Sequence, residues 1–198
     1  MSTIAVLGNG RVGGNLFQAL DRAGREVTVA DREPGAAADA ARRAQVVINA
    51  TPGAGSLERL TALREELRGK ILVDVSNATV DGPDGLPADL IYPGSSLAEQ
   101  LQEALPETRV VKTLNTMLFP VMTAPGTLAQ PPSVFLSGDD AEAKQVVREL
   151  LADLGWQEEW ITDLGGIRTA RATEAAILFV PHVIRANGFT PFAISINR

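Results

Sequence analysis

Seven residues near the start of the chain, Gly8-Asn9-Gly10-Arg11-Val12-Gly13-Gly14, carry the clearest chemical signal. They follow a short apolar run at 3–7 and open a stretch in which Val12, Leu16, Ala19, Leu20 and Ala23 share one helical face. Glycine at 8, 10 and 13 has a different use at each place. Gly8 permits a tight turn, Gly10 lets backbone come close to a diphosphate, and Gly13 lets the helix pack closely on the strand. The open N–H groups at the helix start then face the anion, worth about 0.3–1 kcal/mol and up to ~2 kcal/mol when partly buried. A second apolar run, 27–30, leads into Asp31, 18 residues beyond Gly13. The spacing predicts a dinucleotide site in which Gly8, Asn9, Gly10, Arg11, Val12 and Gly13 hold the diphosphate.

Two readings of the sugar end stand side by side. Asp31 is placed to accept hydrogen bonds from the adenosine ribose hydroxyls, the arrangement of NAD sites. Its charge would oppose a 2′-phosphate by roughly 4 kcal/mol at about 4 Å and an effective dielectric of ~20. Arg32 follows it, and Arg11 lies in the glycine loop; either could clamp that phosphate with two parallel hydrogen bonds, which suits NADP. Both arginines could equally be solvated, or paired with Asp31 or Glu33. The expected cofactor is NADP or NAD.

The rest of the inventory is notable for what it lacks. Tyr92 is the only tyrosine, and Ser96 follows it four residues later, so no Tyr-x-x-x-Lys proton relay exists. The lysines are Lys70, Lys112 and Lys144; Lys112 falls inside an apolar run and Lys144 on the outer face of a helical pattern. His182 is the sole histidine and reads as a structural residue beside Pro181. There is no cysteine, which removes disulfides, thiolate nucleophiles and thiolate metal sites together. We therefore assign no catalytic acid, base or nucleophile and no metal site. Hydride transfer between a nicotinamide and a second conjugated cofactor suits such an inventory, because the difficult chemistry belongs to the cofactors.

The elements that must position the site follow from the pattern. Apolar runs at 3–7, 27–30, 45–50, 71–75, 109–114 and 133–137 do not alternate with polar residues, as expected of parallel strands buried on both faces. Helical patterns lie between several of them. Leu57, Leu60, Leu63 and Leu67 share a face, Ser96 and Glu99 form a capping box, and Asp139 or Asp140 caps a helix carrying Val146, Val147, Leu150, Leu151 and Leu154. This alternation predicts an α/β fold, a doubly wound parallel sheet of the Rossmann type, with a small C-terminal helical extension. A last strand is expected at 156–161, then one long helix over 167–187 kinked at Pro181. The division is 1–162 for the dinucleotide-binding domain and 163–198 for the helix and tail packed on it. Loops at 51–55, 76–95 and 115–132 each follow a strand, so they gather at the carboxyl edge where ligands bind.

A net charge of −6 repels phosphate backbones and anionic lipid, so neither nucleic acid nor membrane is an expected partner. No signal peptide or transmembrane run is read, and the cytoplasm is the expected location. The apolar tail around Phe189, Phe192 and Ile196 suggests a homodimer.

Several motifs together resemble a known family. They are the glycine loop; Ser95-Ser96-Leu97-Ala98-Glu99; Pro106-Glu107-Thr108-Arg109-Val110-Val111-Lys112-Thr113-Leu114-Asn115-Thr116; Ser137-Gly138-Asp139-Asp140; and the series from Asp163 through Gly165 and Arg171 to Glu174. In order and spacing they are similar to the NADPH-dependent reductases of the 8-hydroxy-5-deazaflavin coenzyme F-420. The resemblance implies a deazaflavin in the cleft between the sheet and the C-terminal part, with hydride passing between it and the nicotinamide. It places Ala50, Thr51, Pro52, Ser76 and Asn77 along the nicotinamide, and Asn115, Thr116 and Met117 under the second substrate. Arg171 and Glu174, as an (i, i+3) pair, would hold the C-terminal helix. The function expected is an NAD(P)-dependent oxidoreductase with a small-molecule substrate. The alternatives are a non-catalytic NAD(H)-binding sensor, since the opening residues also resemble NAD-binding regulatory domains of potassium transport, and an imine or ketone reductase.

Overall fold

In β1 (Ile4–Leu7) all four residues are buried, yet the side chains divide between two cores. Ile4 and Val6 point to one side of the sheet and Ala5 and Leu7 to the other, the period-two alternation of any strand. The same division runs through β3 (Val46–Asn49), β4 (Ile71–Asp74) and β7 (Arg109–Lys112). These strands and β2 (Val27–Ala30) form a parallel sheet in the order β2-β1-β3-β4-β7. In this computed structural model, which describes residues 2–196, helices cover both faces of the sheet, a doubly wound α/β fold.

One face is covered by α1 (Arg11–Arg22), α6 (Phe119–Met122) and α7 (Ala141–Asp153), which bury Leu16, Leu20, Val121, Val147 and Leu150. The other carries α2 (Ala36–Arg43), α3 (Ser56–Thr61), α4 (Arg64–Leu67) and α5 (Leu97–Ala104), burying Ala41, Leu60, Leu67, Leu97 and Leu101. Each fully buried leucine of this kind contributes about 1.5–3 kcal/mol. Helix α2 is not foreseen by the pattern. Its sequence, AAADAARR, has no large apolar residue, and it packs through Ala41 alone among its fully buried side chains.

Several other expectations need correction. The apolar run at 133–137 does not extend the parallel sheet. Its strand β8 (Val134–Leu136) pairs in parallel with β9 (Ile161–Asp163), and this pair meets β7 through an antiparallel bridge between Lys112 and Ser137. The last strand thus begins at Ile161, after a 3₁₀ turn at Glu158–Trp160 that turns the Trp160 ring onto Trp156 at 6.5 Å. The loop at 76–95 contains a hairpin, β5 (Thr79–Asp81) with β6 (Pro87–Leu90), and the loop at 115–132 contains α6 and a 3₁₀ turn at Pro125–Thr127. Ala23, placed on the buried face of α1, is exposed at its C-cap.

The single long helix at 167–187 is a relay of shorter ones. A 3₁₀ turn at Ile167–Thr169 leads into α8 (Ala170–Ala175), a second 3₁₀ turn at Ala176–Phe179, then α9 (Val180–Asn187) with Pro181 in its first turn. Proline is tolerated there because first-turn N–H groups have no helical partner anyway. The capping expectations fare better. Ser96 accepts from the Glu99 amide at 3.1 Å, and Asp140 rather than Asp139 caps α7, accepting from Ala143 at 2.7 Å.

Beyond Gly188 the tail returns to the sheet edge. Ala193 bridges Met117, the Leu118 amide donates to the Phe192 carbonyl at 3.0 Å, and the Ser133 amide donates to Ile194 at 3.0 Å. Asn197 and Arg198, the end of the expected tail, lie outside the described residues. Among the described residues, no helix is long and apolar enough to cross a membrane.

Candidate functional site

The glycine loop lies at the point where the strand order reverses, between β1 and β3. Its glycines separate into two kinds. A Cβ on Gly8 would stand 2.8 Å from the Ala50 carbonyl oxygen, and one on Gly13 only 1.8 Å from the Gly8 carbonyl oxygen. Those two are required by the fold itself. Gly8 also has φ of +101°, which side chains rarely adopt. A Cβ on Gly10 would meet no atom within 4 Å, and Gly10 is exposed with an ordinary φ of −83°. Among the described residues nothing crowds a Cβ there; the free space lies over the start of α1. The first helical bond runs from the Gly14 amide to the Gly10 carbonyl at 2.8 Å. The amides of Arg11, Val12 and Gly13 are therefore the open end of α1.

Three strands end in polar residues that stand side by side. Asn49 pairs in register with Asp74, and Asp74 with Lys112, so the carboxyl edge carries a buried polar row. Asn49, Asp74 and Lys112 are at most 1% exposed. Asp74 Oδ1 accepts from Asn49 Nδ2 and from Ser76 Oγ, both at 2.8 Å, and Oδ2 accepts from Lys112 Nζ at 2.7 Å. Lys112 also donates to the Ser76 carbonyl and, at 2.9 Å, to Glu174 of α8. Glu174 in turn accepts from the Leu97 and Ala98 amides at 2.9 and 3.2 Å, at the start of α5. Burial by itself pushes the Lys112 ammonium down, but the Asp74 and Glu174 charges outweigh it and hold its pKa above the ordinary lysine value.

On this row rest the loops that the family resemblance assigns to the nicotinamide and the second substrate. Thr51 Oγ1 donates to Asn49 Oδ1 at 2.6 Å. Arg59 of α3 holds the 51–55 loop by donating to the carbonyls of Pro52 and, at 3.0 Å, Ala54. Gly53 is pressed against Asn77, where a Cβ would come within 2.0 Å of the Asn77 carbonyl oxygen. Asn77 and Asn115 satisfy each other: Asn77 Nδ2 donates to the Asn115 carbonyl at 3.0 Å, and Asn115 Nδ2 to Asn77 Oδ1 at 2.9 Å. Leu114, just before, has φ of +61°, a left-handed conformation that is strained for a bulky residue. That turn delivers Asn115, Thr116 and Met117 to the edge, where all three are buried.

Of the expected site residues, Ala50, Thr51, Pro52, Ser76, Asn77 and Asn115 are thus drawn together, and Gly8 touches Ala50. Asp31 and Arg32 are exposed at the far end of the loop, and Asp31 Oδ1 accepts from the Glu33 amide at 2.9 Å. Arg11 stacks over the Phe119 ring at 5.7 Å from its centroid, while Asn15 donates to the Phe119 carbonyl at 2.9 Å. Arg171 and Glu174 do not pair with each other. Arg171 pairs with Glu99 and Glu174 with Lys112, so each fastens α8 to a different neighbour. His182 is exposed on α9 rather than packed in a core. Asn49, Gly53, Asp74 and the ion-paired role of Lys112 escape the sequence reading. The available signal was a polar residue near the end of three buried apolar runs, Asn49 in 45–50, Asp74 in 71–75 and Lys112 in 109–114.

The chain matches a crystal structure from Arthrobacter sp. FB24, described as a candidate F-420-dependent NADP reductase, at 40% identity and a TM-score of 0.91, with 100% of each chain covered. The chain belongs to the F-420-dependent NADP reductase family. It is also 31% identical over 140 residues to the F-420-dependent NADP reductase of Methanocaldococcus jannaschii, a match covering 69% of this chain and 60% of that one. The match thus spans under two thirds of that curated relative. An imine reductase of Myxococcus stipitatus in complex with NADP⁺ has a TM-score of 0.66 at 20% identity, covering 93% and 62% of the two chains, which shows likeness of fold. No family profile matches the chain.

Proposed function

We propose that the chain is an oxidoreductase that passes a hydride between NADP(H) and a second conjugated acceptor, an F-420-type deazaflavin. The observation that carries this reading is the contrast among the glycines. Gly8 and Gly13 are fixed by protein contacts, whereas Gly10 faces open space above three helix-start amides. A diphosphate fits a cradle of that kind, because the approach a Cβ would block is left clear.

On this reading Gly8, Asn9, Gly10, Arg11, Val12 and Gly13 hold the diphosphate, and Arg32 with Arg11 receives the 2′-phosphate. The Glu33 amide bound to Asp31 offsets part of that carboxylate's charge. When bound, the nicotinamide supplies the hydride chemistry. Ala50, Thr51, Pro52, Ser76 and Asn77 form its shelf, and Asn115, Thr116 and Met117 the floor beneath the second substrate. Of the described residues, those up to 162 supply the nucleotide site and those from 163 onward pack on it. The names of the Arthrobacter and Methanocaldococcus relatives support both NADP and the deazaflavin. A cytoplasmic homodimer completes the proposal, joined through the C-terminal face where Phe179 and Phe189 are 69% and 62% exposed.

The test is to mix the protein with NADPH or NADH and the deazaflavin and to follow absorbance. Turnover that prefers NADPH is expected. Measurable nucleotide binding without turnover from either nucleotide would overturn the deazaflavin assignment.

A further inference from the structure

Helix α8 is tied to the rest of the molecule twice, by ion pairs of different character. Arg171 reaches Glu99 on α5 at the surface, with its side chain 36% exposed. Glu174, three residues on, reaches inward to Lys112, where both side chains are at most 4% exposed. Docking α8 would need only the first tie, or an apolar contact. Three buried charges are a costly way to make one, and replacing such a group with well-packed apolar residues is often neutral or stabilising.

The inner tie differs in what lies beyond it. An ammonium has three protons to donate, and Lys112 directs them to Glu174, Asp74 and the Ser76 carbonyl. Asp74 then grips Ser76 again, accepting from its hydroxyl at 2.8 Å and its amide at 3.3 Å. Ser76 is thus held at its amide, hydroxyl and carbonyl, and Asn77 beside it is locked to Asn115. The uneven charge, two carboxylates to one ammonium, is met in part by the two α5 amides on Glu174.

We propose that Glu174 and Lys112 are positioning residues for the nicotinamide end of the site. They set the height of the Ser76-Asn77 shelf from the C-terminal helix, while the glycine loop holds the adenosine end independently. This rests on the nucleotide reading above. It predicts that the two ends of the nucleotide respond separately to substitution.

The experiment is calorimetry with two probes, NADP⁺ and its nicotinamide-free fragment, ADP-ribose 2′-phosphate. E174Q should bind the fragment within about twofold of wild type yet lose about tenfold in NADP⁺ affinity, the scale of one weakened charged hydrogen bond. R171Q loosens the same helix without touching Lys112, so it should lower Tm and leave both affinities within about twofold. E174D keeps the charge and should fall between wild type and E174Q; it carries the comparison if E174Q does not fold. Equal loss of both probes, no loss of either, or the same selective loss in R171Q would overturn the positioning role. If wild type binds neither probe, it is the nucleotide reading that fails, and this inference with it.

Discussion

The two halves of the site are built from different materials. Around residues 8–14 the working surface is backbone: glycines, helix-start amides and one turn, all within a single stretch of chain. Around Asp74, Lys112 and Glu174 it is side chain, with Lys112 joined to partners 38 residues before it and 62 after. The first half tolerates change in its neighbours, because a main-chain cradle needs only the right turn and space. The second half is a closed circuit in which each member satisfies another, so removing one strands the rest. The contrast teaches where function and folding are separable. At the cradle they can be pulled apart; along the buried row they are coupled.

The largest expected effect comes from breaking the buried row. K112M leaves Asp74 and Glu174 buried without their cation, and loss of one partner of a buried ion pair costs about 3–5 kcal/mol. That is on the order of 10 °C in Tm for a domain of this size, readable by calorimetry. A loss under about 1 kcal/mol would show that the row adds nothing the apolar cores do not supply. Gly10 should behave oppositely. The Cβ of G10V would meet no atom of the described residues within 4 Å, so stability should stay within about 1 kcal/mol, the scale of a helix-cap change. Its side chain would occupy the diphosphate approach, and nucleotide affinity should fall about a hundredfold, or ~2.7 kcal/mol. G13A sharpens the comparison. Its Cβ would collide with the Gly8 carbonyl at 1.8 Å, so it should cost stability before it costs binding.

Alkaline titration probes the row without mutation. The folded Lys112 pKa lies above its ordinary 10.5, so folding favours the protonated amine. Its contribution is fully present below 10.5 and is lost as pH rises through the folded value. The wild type should therefore lose Tm above that pH, and K112M should lose less over the same span. Parallel alkaline losses in the two proteins would mean that Lys112 does not carry the dependence.

The same contrast explains how much could be read from sequence. Glycine spacing, the apolar runs and the Ser96 cap are local codes, and each element they specify is present. The carboxyl-edge row depends on register. Asn49, Asp74 and Lys112 become neighbours only once β3, β4 and β7 align, and nothing within any one run announces that alignment. Helix α2 was illegible for another reason: alanines pack closely without marking a face in hydrophobicity. Arg171 and Glu174 do hold α8, but not by pairing with each other: helical spacing makes an (i, i+3) pair plausible, whereas a buried cation on β7 was a stronger partner for Glu174.

The smallest effect expected is at Asp31, on the backbone-built side. Its carboxylate is exposed, so solvent screens it, and among the described residues its one hydrogen bond is from the Glu33 amide. D31S removes the charge that opposes a 2′-phosphate while retaining a hydroxyl for the sugar and for the turn. The ratio of NADP⁺ to NAD⁺ dissociation constants should move toward NADP⁺ by up to about tenfold, with little change in Tm. A surface charge a Debye length or more from the phosphate would leave that ratio unchanged, about 10 Å at 0.1 M salt. An unchanged ratio would therefore place Asp31 outside the sugar pocket. The specificity question would then pass to Arg32 and to Arg11, which the Phe119 ring already holds over the start of α1.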